Sequence, residues 1–366
     1  MKKVTFSDRA GFHSEVKKRV NEYFEENNLS RHANWRMVLK TVFIIFWVTG
    51  SYASFLLSSS LTMSIISAFA LSQGFVLVGF NIMHDGLHGS YSKSPRLNRI
   101  VGLSLEMVGA SGMLWRFKHN ILHHTYTNIN EFDDDLEAPG ILRFSPEKQW
   151  RPCHRYQHWY AFPVYCLMSL SWVAKSDFQK YFSRKIGDYT LPKPSPAESA
   201  LFFSAKAFYF GYMLVVPMFF HPILHVLIFF LIVHSFLGLS LATVFQLAHI
   251  VNDNTFPSPD QTSGEISNEW AIHQVETTAN FAPQSRFAGF YCGGLNFQIE
   301  HHLFPRVCHI HYPAISKIVE NTCNEFQVPY ISFPTVLEAV KEHCRFLIHL
   351  GRKDVAGVPE APSTVS

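Results

Sequence analysis

The sequence predicts an all-α integral membrane protein, with four helices crossing the bilayer as two hairpins beneath a cytoplasmic helical cap. Three observations carry this. Of 366 residues, 48% are hydrophobic and only 16% are charged, against about 25% charged in ordinary soluble domains. The apolar residues gather in four runs of spanning length, since a helix needs about 20 residues to cross a ~30 Å hydrocarbon core. The basic residues avoid the places where these runs meet in pairs. This composition excludes a disordered or collagenous chain. A net charge of +3 is too small to imply nucleic acid as a partner. Six scattered cysteines with no C-x-x-C pair speak for reduced thiols rather than a disulfide framework or zinc ribbon.

Residues 1–37 are polar and charged, so no cleavable signal peptide is expected. Ser7 is a candidate N-cap, and Val16, Val20, Tyr23 and Phe24 follow at helical spacing, which predicts an amphipathic surface helix. The main domain is expected over 38–350. Its first two spans, about 38–58 and 61–83, are separated only by Ser58, Ser59 and Ser60, a tight hairpin. The third and fourth, about 199–220 and 223–247, flank His221 and Pro222, and Pro222 suits the first turn of a new helix. Residues 84–198 and 248–350 form the cap, and 351–366 a flexible tail.

Eight Lys and Arg precede residue 38, 14 lie between 89 and 198, seven follow residue 250, and the hairpin tips have none. Lys40 and Lys206 fall inside runs, and Lys206 is placed where its amine can snorkel outward. The positive-inside rule then puts both termini and the cap in the cytoplasm. Two shorter apolar stretches, 100–115 and 160–174, are expected to lie at the interface. Either one crossing alone would reverse the side of everything after it and destroy the charge asymmetry.

The chain has 20 histidines. Three groups stand out: His84-Asp85-Gly86-Leu87-His88, His119-Asn120-Ile121-Leu122-His123-His124, and Gln298-Ile299-Glu300-His301-His302. Imidazoles at i and i+4 share one helix face. The topology brings all three groups to one side at similar depth, and seven imidazoles exceed the needs of one ion, so two ions are implied. Imidazole suits zinc, copper, iron and nickel. Structural zinc takes four ligands, often with Cys. A set rich in imidazole and free of Cys suits two irons that bind O2.

These groups resemble the three histidine boxes of the membrane fatty acid desaturases, over roughly residues 35–345. Gln298, in place of the first His of the third box, is similar to the front-end branch of that family. The resemblance implies iron ligation by His84, His88, His119, His123, His124, His301 and His302. Phe245-Gln246-Leu247-Ala248-His249 resembles the place of a further ligand, which makes His249 the eighth imidazole, and Gln298 is expected at the metal, through its amide oxygen or through water, or else behind the ligands as a hydrogen bonder. Asp85, Asn120, Gln246 and Asp134 are expected to support the ligands by hydrogen bonds. The resemblance further implies two iron ions and O2, a fatty acyl-CoA or acyl-lipid substrate, a cis double bond as product, and electrons from ferredoxin or cytochrome b5 with its reductase. The fused haem domain of many front-end enzymes has no counterpart: the only His-Pro is His221-Pro222.

The remaining histidines read as structural. His221 and His225 lie at the far membrane face, His154 and His158 beside an interfacial helix, and His273 before Gln274. A hydroxylase or ketolase on the same scaffold is the nearest rival. A histidine-rich metal transporter would place ionisable residues in mid-span, where the only one is His234.

Overall fold

The computed structural model describes residues 4–7, 10–138 and 140–353. Most of the tail expected at 351–366 lies outside the described residues. The chain is helical apart from three two-stranded ribbons. Helix α1 (Phe12–Glu26) precedes α2 (Trp35–Leu57) and α3 (Leu61–His88). After α4 (Pro95–Gly102) and α5 (Gln157–Tyr165) come α6 (Pro196–Phe219) and α7 (Ile223–His249). Then follow α8 (Trp270–Glu276), α9 (Gln298–Leu303) and α10 (Tyr312–Glu325).

Among the described residues four helices, α2, α3, α6 and α7, are long and apolar enough to cross a membrane. They coincide with the four expected runs and extend them by up to about a turn. Asn34 starts α2 early, because its side chain accepts from the amides of Arg36 and Met37. Ser195 and Glu198 form a capping box around Pro196 at the start of α6. Pro222 sits at the N-cap of α7, one residue before the expected first turn. Helices α2 and α3 lie side by side: Trp47 Nε1 donates to the Ala70 carbonyl at 2.6 Å and Ser67 Oγ to Ser54 Oγ at 2.9 Å. The outer face of α2 is bare, with Phe46 71% exposed, which suits lipid and not water.

The stretches 100–115 and 160–174 are broken into short helices, including Ser104–Met107, Gly112–Trp115 and Met168–Ser171. Neither forms a spanning helix. They fold around Lys206, and here one expectation is overturned. The Lys206 amine does not snorkel: it is buried and donates to the Gly109 carbonyl at 2.6 Å, the Val173 carbonyl at 3.0 Å and Asp177 Oδ2 at 2.7 Å. A carbonyl from each broken stretch and the Asp177 carboxylate just beyond the second offset the desolvation of the charge.

A second correction concerns the N-terminus. Ser7 is not the N-cap. It ends strand β1 (Thr5–Ser7), which pairs in parallel with Glu265–Glu269. Helix α1 starts after Gly11, and its first amides, of Phe12 and His13, donate to the Glu269 carboxylate at 3.1 and 2.7 Å. Val16, Val20 and Phe24 are buried against α8, α9 and α10, so α1 covers the elements that carry the third histidine group. All six cysteines are free.

Candidate metal centre

Helix α3 widens into a π-helical turn, Val78–Met83, just before His84. The second histidine group lies on another, Arg116–His123. Such turns are rare and concentrate at functional sites. Gly89, in the left-handed region at φ 76°, ends α3. The third group enters through Gly293 at φ 58°, where a Cβ atom would stand 2.2 Å from the Phe80 carbonyl oxygen. Only glycine lets this loop cross so close to α3.

All eight expected imidazoles converge. His84, His88, His119 and His301 place ring nitrogens within 4.8 Å of one another. His123, His249 and His302 form a second such group, and His124 joins His301 and His302 in a third between them. His301 lies 4.5 Å from His84 and His124 lies 4.4 Å from His302, centroid to centroid. His249, at the end of α7, comes within 4.7 Å of His123 and 5.0 Å of His302. Trp115 stacks on His119 at 4.3 Å and closes one side.

Four of the rings are oriented by their other nitrogens. His123 Nδ1 faces Asp133 at 3.1 Å and Asp135 at 3.3 Å. His302 Nδ1 donates to Gln274 Oε1 at 2.8 Å, His249 Nδ1 faces the Thr277 carbonyl at 3.4 Å, and His301 Nδ1 the Tyr312 hydroxyl at 3.3 Å. The inward Nε2 atoms of His84, His88, His249, His301 and His302 are buried without a partner in the protein. Buried polar atoms are normally paired. Burial, reinforced by neighbouring imidazoles, holds His119, His124, His301 and His302 well below the usual histidine range. Their rings are therefore neutral with lone pairs available. Burial also opposes charge on His123, but Asp133 outweighs it and raises that pKa. Neutral, unpartnered and convergent imidazole nitrogens fit a pair of transition-metal ions.

The supporting residues divide differently from expectation. Asp134 contacts Lys118 and Lys180 at 3.1 and 2.5 Å, while its neighbours Asp133 and Asp135 reach His123. Asp85 points away from the imidazole cluster: Oδ2 accepts from His309 Nδ1 and Cys308 Sγ, both at 2.9 Å, and Lys40 Nζ lies 3.2 Å from His309 Nε2. Asn120 Nδ2 donates to the Leu87 carbonyl at 3.0 Å. The amide oxygens of Gln246 and Gln298 are buried without partners. Gln298 stands one turn before His301 and His302, on the same face of α9. Glu300 faces Tyr330 and Asn280, each at 2.8 Å, and burial pushes its pKa up to about 7 against these two donors.

His221, His154 and His234 have ordinary partners. His221 packs on Phe55 and meets its carbonyl at 2.8 Å. His154 contacts the Gly140 carbonyl at 3.2 Å. His234 bridges the Tyr209 hydroxyl at 2.7 Å and Ser169 at 3.0 Å. His273 packs on Phe6, and its Nε2 is also unpartnered. Sequence reasoning noted Gln274 only as the neighbour of His273 and did not single out Thr127, Tyr312 or His309, since neither residue type nor spacing distinguishes a residue whose partner is remote in the chain.

Four helices long and apolar enough to cross a membrane, leading into a dense imidazole cluster, define a membrane-type, histidine-rich class of helical proteins. Within it, the sequence model of the fatty acid desaturase family matches residues 60–334. The chain belongs to that family and is a fatty acid desaturase. It is 35% identical to the sn-1 linoleoyl-lipid 6-desaturase of Synechocystis, over 96% of this chain and 98% of the relative. It is 39% identical to the enzyme of that name from Arthrospira platensis, over 94% of each chain. Identity to the acyl-lipid (8-3)-desaturase of Physcomitrium patens is 40%, over 94% of this chain and 72% of the relative.

Proposed function

We propose that the protein desaturates lipid-bound acyl chains on the carboxyl side of an existing double bond, using two irons, O2 and two externally supplied electrons. The observation that carries the metal part is the set of buried, unpartnered Nε2 atoms on convergent rings. The relatives' names, acyl-lipid and linoleoyl-lipid desaturases, favour a lipid-bound substrate over acyl-CoA. The overall change removes two hydrogens from a methylene pair. With O2, two electrons and two protons it yields one cis double bond and two waters.

In this reading His84, His88, His119 and His301 hold one iron, and His123, His249 and His302 the other. His124 lies between them, and Gln298 supplies an amide oxygen. When bound, the irons supply O2-dependent hydrogen abstraction, which no acid-base side chain can perform on an unactivated alkyl chain. The protein's own part is to orient the rings of His123, His249, His301 and His302 by their second nitrogens, to keep His119, His124, His301 and His302 neutral by burial, and to exclude water. Trp115 restricts the approach beside His119. Electrons come from a separate donor, ferredoxin or cytochrome b5 with its reductase. The basic residues of segment 84–198 offer it a cationic face.

Topologically, α2–α3 and α6–α7 form two hairpins, with both termini and segments 84–198 and 248–350 in the cytoplasm. Residues 1–37 are an N-terminal segment, 38–350 the desaturase domain and 351–366 a tail. The test is expression in a host fed defined fatty acids, with mass spectrometry of intact lipids and of double-bond position. New unsaturation appearing first in lipids, lost in His301→Ala, is expected. Hydroxylated product, or full turnover by His301→Ala, would refute the proposal.

A further inference from the structure

The two metal positions differ in what stands behind their imidazoles. In the group His123, His249 and His302, every ring has an oxygen acceptor at Nδ1. His123 faces the Asp133 carboxylate at 3.1 Å, His302 the Gln274 amide oxygen at 2.8 Å, and His249 the Thr277 carbonyl at 3.4 Å. In the group His84, His88, His119 and His301, the one Nδ1 contact among the described residues is His301 with the Tyr312 hydroxyl, at 3.3 Å. A strong acceptor behind an imidazole fixes its tautomer and makes its other nitrogen a better donor to a metal. A carboxylate is the strongest of these acceptors, an amide or peptide carbonyl next, and a neutral hydroxyl the weakest.

Gln274 is the least expected member of this set. It lies on α8, outside all three histidine groups, and is fully buried. Its Oε1 accepts from His302 Nδ1 at 2.8 Å and lies 2.9 Å from Thr127 Oγ1. Thr127 follows His124 by three residues and bonds the His123 carbonyl at 2.7 Å. One amide oxygen thus ties the end of the second histidine group to the last ring of the third. Because Oε1 only accepts, it requires the proton of His302 on Nδ1 and leaves the Nε2 lone pair directed inward.

We propose that the two metal positions are chemically unequal, and that Gln274, together with Asp133, is the positioning residue that makes the His123–His249–His302 position the more strongly donating of the two. The inference rests on the two-iron reading given above. It assigns Gln274 a role through His302 and no contact with substrate.

The experiment uses the purified full chain in detergent or nanodiscs, loaded with iron, with iron counted during chelator titration and 57Fe Mössbauer spectra recorded. Wild type should hold about two irons in two distinguishable environments. Gln274→Leu keeps the side-chain bulk and removes the acceptor. It should weaken one iron by about 10–100-fold, the usual effect of losing such a partner, while the other is released at the wild-type chelator concentration. Gln274→Glu keeps the acceptor, so it should retain both irons and shift the spectrum of one only. Asp133→Asn should weaken the same iron as Gln274→Leu, which keeps the test decisive if the leucine variant misfolds. Loss of both irons together from a folded variant, or unchanged release in Gln274→Leu, would overturn the inference alone. A wild-type chain that holds no iron would instead overturn the two-iron reading, and the inference with it.

Discussion

Replacing Lys206 by Met tests the least expected contact in the fold. The Lys206 and Asp177 side chains are 6% and 1% exposed, with Nζ and Oδ2 2.7 Å apart. The substitution removes the ammonium and keeps most of the aliphatic stem. Asp177 would retain the Ser111 amide at 2.9 Å and Trp172 Nε1 at 3.0 Å, but would lose its ion-pair contact. The carbonyls of Gly109 and Val173 would lose this donor. Removing one partner of a buried pair costs about 3–5 kcal/mol, because the remaining charge is uncompensated. At about 2 °C per kcal/mol, the lower end for large domains, this lowers the unfolding midpoint by ~6–10 °C. Adding Asp177→Asn removes the stranded charge and should restore at least half of the loss. The assay is thermal unfolding of both variants in detergent, followed by tryptophan fluorescence. A Lys206→Met midpoint within ~2 °C of wild type would show that the amine is hydrated, and would refute its burial.

Two further outcomes follow from the geometry. His249→Ala should cost iron and activity as heavily as a substitution within the histidine groups, since its ring lies beside His123 and His302; His221→Ala, whose ring packs on Phe55, should leave both near wild type. Equal, mild effects in metal analysis and turnover would remove His249 from the ligand set. Accessibility tags at both termini and at residue 190 should report the cytoplasm and a tag near His221 the opposite face; a residue-190 tag outside would refute the two-hairpin topology.

Much of the centre is legible in the linear pattern. His84 and His88, or His119 and His123, meet because residues four apart share a helix face, which is a local property of the chain. The four apolar runs are equally local, since length and hydropathy alone decide whether a helix can span. The partner of each ring is not local. Asp133, Asp134 and Asp135 look alike in sequence, yet Lys118 and Lys180 draw Asp134 aside while Asp133 stands behind His123. Asp85 sits between two histidines in sequence but turns to His309, 224 positions on.

The sequence by itself therefore determined that this is a helical chain with four runs long and apolar enough to cross a membrane and seven imidazoles in three compact groups, because spacing and composition act over a few residues; His249 was added to them by family resemblance alone. Only the tertiary structure decided how those imidazoles cluster, which acceptors stand behind His123, His249, His301 and His302, and that Lys206 is buried rather than raised to the surface. These depend on contacts between segments far apart in the chain, such as Gln274 with Thr127 and His302, or Asp177 with Lys206. No periodicity records such contacts, because their free energy arises only when folding excludes water from both partners at once.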